Sequence, residues 1–296
     1  MAKVAVFGST GMLGSALTRL LQSKFETIYE FNRSGTSVTG KNFTKQLDIT
    51  AGYSVAESLN GLEIDCIVNC IGLIKQLIQE DSSNSIDLAN KINVQFPQNL
   101  NSYASIFEIP LIQIGTDCVY SGKSGRYSEN NPHDPIDLYG ITKSLGEKSS
   151  DSSMIIRCSI VGKELKSTNS LMEWILSQPY GATINGYTNH IWNGVTTLHF
   201  AQIVWGIIQN KNYKPGVSHL VPKDILSKFE LIELIAKNFG RDDLLVSKFE
   251  AEKSIDRSLI SVDSERNLCM WQEGGYNEIP TIGQMLSTYA SWAKIE

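Results

Sequence analysis

Apolar residues in the first half of the chain come in short runs, separated by stretches with helical spacing. Lys3–Phe7 reads as a first strand, and Met12–Gln22 places Leu13, Leu17, Leu20 and Leu21 on one helical face. Further strands are predicted at Thr27–Phe31, Thr44–Leu47, Asp65–Cys70, Pro110–Ile114 and Met154–Arg157, with helices over about 90–105 and 138–149. That alternation predicts an α/β fold built on a doubly wound parallel sheet, covered by helices on both faces. After Ser159 the alternation loosens. Helices are predicted at Ser170–Ser177, Thr197–Gln209, Leu226–Asn238 and Ile282–Lys294, with a returning strand at Val217–Val221. The pattern suggests a large sheet domain over residues 1–158, to which 188–222 returns. A smaller C-terminal lobe is then made by 159–187 and 223–296. Ser121–Pro135, rich in Gly, Ser, Pro and Asn, is a long loop within a compact region, a length often tied to function or mobility.

Composition narrows the class. A chain of 296 residues can bury a substantial core, and its net charge of -5 carries no basic footprint, so nucleic acid is not expected as a partner. No apolar run approaches the ~20 residues that span a bilayer, so no membrane partner is expected either. Met1 leads almost directly into the first strand, which leaves no room for a signal peptide and predicts a cytoplasmic protein. The five cysteines (Cys66, Cys70, Cys118, Cys158 and Cys269) are odd in number and mostly lie in apolar strand-like contexts. They read as small buried side chains in a reducing compartment. Cys66 and Cys70 lack a Cys/His partner set, and none of the four histidines has metal-ligand spacing, so no metal is expected.

The candidate chemistry begins at Gly8-Ser9-Thr10-Gly11-Met12-Leu13-Gly14, a glycine-rich turn between the first strand and the first helix. Backbone amides at such a helix start point at an anion, and the glycines admit it closely, so a dinucleotide pyrophosphate is the predicted ligand of a Rossmann-type domain. The spacing is one residue looser than the best-known dinucleotide fingerprint. The end of the second strand bears on which dinucleotide. An acid there grips the ribose hydroxyls of NAD, whereas an arginine accommodates a 2′-phosphate. The segment reads Tyr29-Glu30-Phe31-Asn32-Arg33, so Asn32 and Arg33 favour NADPH. NADH is the alternative, with Glu30 as ribose ligand and Arg33 a surface charge.

Tyr139 and Lys143 lie four apart on a predicted helix and therefore share a face. A free phenol, with a pKa near ~10, is a poor acid at neutrality, and a neighbouring ammonium is expected to lower it. Thr116, at the end of the fifth strand, offers a second hydroxyl to a substrate oxygen, beside Asp117. Such a set stabilises negative charge on that oxygen while hydride reaches carbon.

At these residues the sequence resembles the short-chain dehydrogenase/reductases, in their extended sugar-nucleotide branch. Within it the chain is most similar to the reductases of nucleotide-linked 4-keto-6-deoxyhexoses, the dTDP-4-dehydrorhamnose reductases. The similarity rests on Gly-Thr-Asp-Cys-Val-Tyr-Ser-Gly at 115–122, Leu-Tyr-Gly-Ile-Thr-Lys-Ser-Leu-Gly-Glu at 138–147 and Ile-Ile-Arg-Cys-Ser-Ile-Val-Gly at 155–162. Asn-Gly-Val-Thr-Thr-Leu at 193–198 and Ile-Asp-Arg-Ser at 255–258 are weaker matches. The resemblance implies a triad of Thr116, Tyr139 and Lys143. It also implies cofactor contacts at the glycine turn, at Asp48 and Ile49 for the adenine, and along Asn69, Cys70 and Gly72. Asn93 would support the active-site backbone. Gly115 departs from the serine usual before the threonine.

Dehydratases of this fold place a glutamate after Thr-Asp, but here Cys118 follows Thr116-Asp117. Epimerases retain NAD and would suit an acidic second-strand end. The resemblance therefore implies NADPH-dependent reduction of a 4-keto-6-deoxy sugar on a nucleoside diphosphate, for a surface polysaccharide precursor. The alternatives are a sugar-nucleotide epimerase, or a dinucleotide-binding regulatory subunit like that of methionine adenosyltransferase. Trp192 is a candidate for stacking on a base or sugar, or a core tryptophan. Arg257 is a candidate for a diphosphate oxygen, or a salt-bridge residue. His133 reads as solvated. A homodimer is compatible with the sequence, which does not specify oligomeric state.

Overall fold

In the computed structural model, which describes all residues except 1, 26, 148–150, 166–167 and 295–296, seven parallel strands form one sheet. The first six are β1 (Lys3–Phe7), β2 (Thr27–Asn32), β3 (Phe43–Gln46), β4 (Cys66–Asn69), β5 (Leu111–Gly115) and β6 (Ser153–Arg157). The seventh, β7, is Gly216–His219, contributed from the second half of the chain. The order is β7-β6-β5-β4-β1-β2-β3, and every pairing is parallel. This is the doubly wound sheet that the alternation predicts. Each central strand is buried on both faces: Val4 and Val6 of β1 join one core cluster, Ala5 and Phe7 the other.

The first cluster lies under α1 (Met12–Gln22) and the helix Thr197–Asn210, and extends to Trp271 and Tyr289 near the C-terminus. The second lies under the helix Phe96–Ile106, where Phe7 stacks on Phe31 at 4.5 Å between ring centroids. Strand order reverses between β1 and β4, which opens a crevice at their carboxyl ends where ligands of such sheets bind.

Several boundaries differ from the sequence pattern. The helix expected to begin near Asn90 starts at Ser83 and runs to Ile106 through a wider π turn at Lys91–Gln95. Leu226 and Ser227 are a short strand before the helix Lys228–Asn238, because they pair with Trp192 and Ile191. The helix at Ser264–Glu273 escaped the periodicity, since only Asn267, Met270 and Trp271 of it are buried. The helix predicted to reach Ser149 is Leu138–Gly146, and Ser149 lies outside the described residues. The long 121–135 loop is tied down by a bridge between Tyr127 and Leu259.

Candidate active site

The glycine turn has the shape an anion site needs. Gly8 adopts a positive φ of 81°, and a β-carbon at Gly14 would stand 2.0 Å from the Gly8 carbonyl oxygen, so only glycine lets α1 pack this close to β1. No side chain caps α1 at Gly11, so its first amides have no partner from a capping group. Gly11 is exposed and Thr10 and Met12 are partly so, whereas the Leu13 side chain lies in the core, which leaves Leu13 only its amide. This cradle, which a β-carbon would fill, fits a dinucleotide pyrophosphate.

At the end of β2, Glu30 is fully buried. It accepts hydrogen bonds from Ser37 Oγ at 2.7 Å, the Val38 amide at 3.0 Å and Asn42 Nδ2 at 2.9 Å. It anchors the 33–42 loop. Asn32 is also buried, donating to Ser9 Oγ at 2.8 Å and to the Thr36 carbonyl at 3.1 Å, so it ties the glycine turn to that loop. Arg33 is exposed at the rim. Asp48 faces the same rim: its carboxylate accepts from the Thr50 amide at 2.9 Å and Thr50 Oγ1 at 2.6 Å. These two bonds, with Arg33 nearby, hold it below the usual carboxylate range. Ile49 beside it is buried. Asn69, expected along the cofactor path, donates to Gln113 Oε1 at 3.1 Å and accepts from the Ile71 amide at 3.0 Å, joining β4 to β5. The part-buried Cys70 and the exposed Gly72 remain at the crevice edge.

Thr116 follows β5 and caps a short turn, accepting from the Cys118 amide at 3.2 Å and standing 3.2 Å from Asp117 Oδ1. The helix Leu138–Gly146 begins at Asp137, whose carboxylate accepts from the Gly140 amide at 2.8 Å and pairs with Lys75 at 2.9 Å. A β-carbon at Gly140 would stand 2.2 Å from the Cys118 carbonyl oxygen, so the helix lies against the Thr116 turn with nothing between. That approach sets the Tyr139 and Thr116 hydroxyls beside each other, near enough for Thr116 to act on the phenol. Lys143, one turn on, donates to the Ile114 carbonyl at 3.1 Å.

The expected tuning of the phenol is not what the structure gives. Burial, with Cys118 next to it, raises Tyr139 well above its ordinary value, and the Thr116 hydroxyl only partly opposes this. Burial also lowers Lys143, against Glu147, Cys118 and Cys70. Desolvation is the largest cause for both groups.

Asn93 holds the chain around Leu73. Set in the π turn, it accepts from the Leu73 amide at 2.8 Å and donates to the Leu73 carbonyl at 3.0 Å and Thr142 Oγ1 at 3.1 Å. A β-carbon at Gly146 would stand 1.9 Å from its carbonyl oxygen, so a second glycine seats the same helix.

The second half contributes cations. Arg257 donates from Nε to the Tyr120 carbonyl at 2.9 Å and acts electrostatically on Cys118 and Asp137. Trp192 is 4% exposed, with Nε1 on Ser159 Oγ at 2.8 Å, and the Lys228 ammonium covers its ring at 5.3 Å. It is a core tryptophan with no open face for stacking. Lys228 itself went unseen in the sequence, since it belongs to no motif. It is part-buried, and desolvation draws it down to about 8 against the pull of Asp117 and Cys118. His133 is exposed, as expected, and is also held: it bonds to Ser144 Oγ at 2.7 Å and accepts from Arg157 at 2.9 Å. All five cysteines are free, and among the described residues no helix is long and apolar enough to cross a membrane.

Over 144 residues the chain is 32% identical to dTDP-4-dehydrorhamnose reductase of Streptomyces griseus, covering 48% of this chain and 43% of that protein. Over 152 residues it is 28% identical to methionine adenosyltransferase 2 subunit beta of Rattus norvegicus, covering 49% and 42%. The aligned stretch thus spans a little under half the length of these two curated relatives. A solved structure of dTDP-4-dehydrorhamnose reductase from Bacillus anthracis in complex with NADP has the same fold, with a TM-score of 0.75 at 20% identity over 97% of this chain and 98% of that one. Residues 2–262, most of the sequence, match the model of one family, and on that match the chain belongs to the RmlD substrate binding domain family.

Proposed function

We propose that the protein is an NADPH-dependent reductase of a keto group on a nucleotide-linked 4-keto-6-deoxyhexose. The observation that carries this reading is the Tyr139–Thr116 hydroxyl pair, held at the carboxyl end of β5 with Lys143 one turn away. Bound at the glycine turn, the reduced nicotinamide supplies hydride. Tyr139 donates its proton to the substrate oxygen, and Thr116 donates a hydrogen bond to the same atom. A phenol raised by burial remains protonated at neutral pH, which suits the reductive direction. The Lys143 ammonium offsets the negative charge left on the Tyr139 oxygen. Cys118, standing where a dehydratase would have a carboxylate, offers no acid for eliminating water.

On this reading Gly8, Gly11 and Gly14 hold the pyrophosphate with the amides of Thr10, Met12 and Leu13, while Arg33 reaches a 2′-phosphate. Residues 159–187 and 223–296 form the substrate lobe, and Arg257 and Lys228 bring cations from it toward Asp117 and Cys118, where they would hold the diphosphate. The cytoplasmic location and the surface-polysaccharide role follow from the same reading.

The likeness to an adenosyltransferase regulatory subunit favours a second reading, a dinucleotide-binding partner without turnover. Purified protein given NADPH and dTDP-4-dehydro-6-deoxyhexose separates the two: cofactor oxidation is expected from the wild type. Tyr139→Phe is expected to lose at least about 100-fold in kcat with NADPH binding retained. Equal turnover in that variant sinks the mechanism.

A further inference from the structure

Beyond Lys143 the fold builds a polar cluster around Arg157, the last residue of β6, which is 1% exposed. Its five N–H donors are all placed. Nη2 donates to Glu147 Oε2 at 2.5 Å and to His133 Nε2 at 2.9 Å. Nη1 donates to Tyr120 Oη and His219 Nε2, both at 2.8 Å, and Nε leans toward Glu147 Oε1 at 3.4 Å. Because both imidazoles accept through Nε2, each keeps its proton on Nδ1. His219 gives that proton to the Ile260 carbonyl at 2.8 Å, and His133 gives its own to Ser144 Oγ at 2.7 Å. Burial and the adjacent guanidinium lower both rings, which keeps them neutral. Glu147 is therefore the carboxylate that Arg157 holds.

Two observations connect this pair to the site. Glu147 lies one helical turn beyond Lys143, and the two line one small cavity with Asn69, Asn93 and Gln113. Gly115 is the second. A β-carbon there would stand 2.8 Å from Glu147 Oε1 and 3.1 Å from Arg157 Cα, so the missing side chain is the space Glu147 occupies. The titratable groups acting on Lys143 are Glu147 on its own helix, Cys118 after β5 and Cys70 after β4, with Tyr139 one turn before. Both thiols are pushed up to about 12 by burial and the phenol is raised as well, so at neutral pH none of the three is an anion.

We propose that Glu147, locked in place by Arg157, is the counter-charge that keeps the buried Lys143 side chain protonated, and is thus a positioning residue for the reaction. Its kinetic consequence rests on the reductase reading, but the titration of Lys143 does not. The test follows the Lys143 ammonium in full-length protein carrying labelled lysine, by NMR against pH, with the signal assigned by its loss in Lys143→Met. Glu147→Gln is expected to lower the Lys143 midpoint by about one pH unit or more, and Glu147→Asp to restore most of it. The alkaline limb of kcat should move down with the midpoint. Should Glu147→Gln fail to fold because it strands Arg157, Glu147→Gln/Arg157→Met is read by the same criterion. A Lys143 midpoint unchanged in the folded variant overturns the proposal. A shifted midpoint in a protein without turnover would leave it standing and remove the reductase reading instead.

Discussion

Gly140→Ala sets two physical effects against each other at the center of the site. In a helix interior, alanine is favoured over glycine by about 1 kcal/mol, so propensity alone predicts a more stable protein. The added β-carbon, however, would stand 2.2 Å from the Cys118 carbonyl oxygen and 2.8 Å from Pro135 Cβ, where ordinary contact begins at 3.4 Å. The helix or the Thr116 turn must therefore retreat by about 1.2 Å. Neither neighbour can yield by rotating a side chain, since one is backbone and the other a ring. Overpacking of this kind costs about 1–3 kcal/mol, enough to cancel or reverse the propensity gain. The same displacement separates the Tyr139 and Thr116 hydroxyls, and an error of about 1 Å in such a pair can cost about 100-fold in rate. The assay pairs urea denaturation with kcat for NADPH oxidation. Gly283→Ala serves as the control, because a β-carbon there meets nothing within 4 Å and alanine should be neutral or stabilising. A Gly140→Ala protein as stabilised as the control, with full turnover, would refute the claim that this glycine sets the spacing of the hydroxyls.

Other perturbations separate the remaining roles. Arg33→Ala is expected to weaken NADPH binding about 10- to 100-fold while leaving NADH nearly unchanged, read by fluorescence titration; equal losses for both cofactors would contradict a 2′-phosphate contact. Lys228→Met should raise KM for the nucleotide sugar about 10- to 100-fold with a smaller effect on kcat, and an unchanged KM would remove Lys228 from the substrate site. His199, packed on Tyr276, is drawn from 6.5 to about 3 by burial. The unfolded chain takes up that proton near its ordinary value and the folded one does not, so stability falls as pH drops from about 6.5 toward 3. The loss by pH 5 is about 2 kcal/mol. Urea midpoints for wild type and His199→Gln should diverge over that window, and parallel curves would show that another group carries the slope.

Some of this was legible without a structure because it is local. A strand that must turn at once into a helix needs glycines where backbone meets backbone, and Gly8 and Gly14 announce that by spacing alone. Tyr139 and Lys143 share a face by helical geometry, and paired burial of alternate residues predicts the doubly wound sheet. Asn93 was found through resemblance, although the π turn that aims it had no sequence signal. What the sequence could not decide concerns groups brought together from far apart. Glu30 and Arg33 were rival readings until the 33–42 loop folded over Glu30 and consumed its hydrogen-bonding capacity. The phenol was expected to be acidified by its neighbour, but burial raises it, and burial depends on every element packed around it. Lys228 acts on Asp117 and Cys118 from more than a hundred positions away, and the Arg157 cluster draws on residues from Tyr120 to His219, so neither leaves a periodic trace. Local backbone requirements are written into short spacings, so sequence alone determined the turn, the helix face and the sheet. Desolvation and charge pairing depend on long-range packing, so only the tertiary structure decided which of the polar groups are spent and which remain for chemistry.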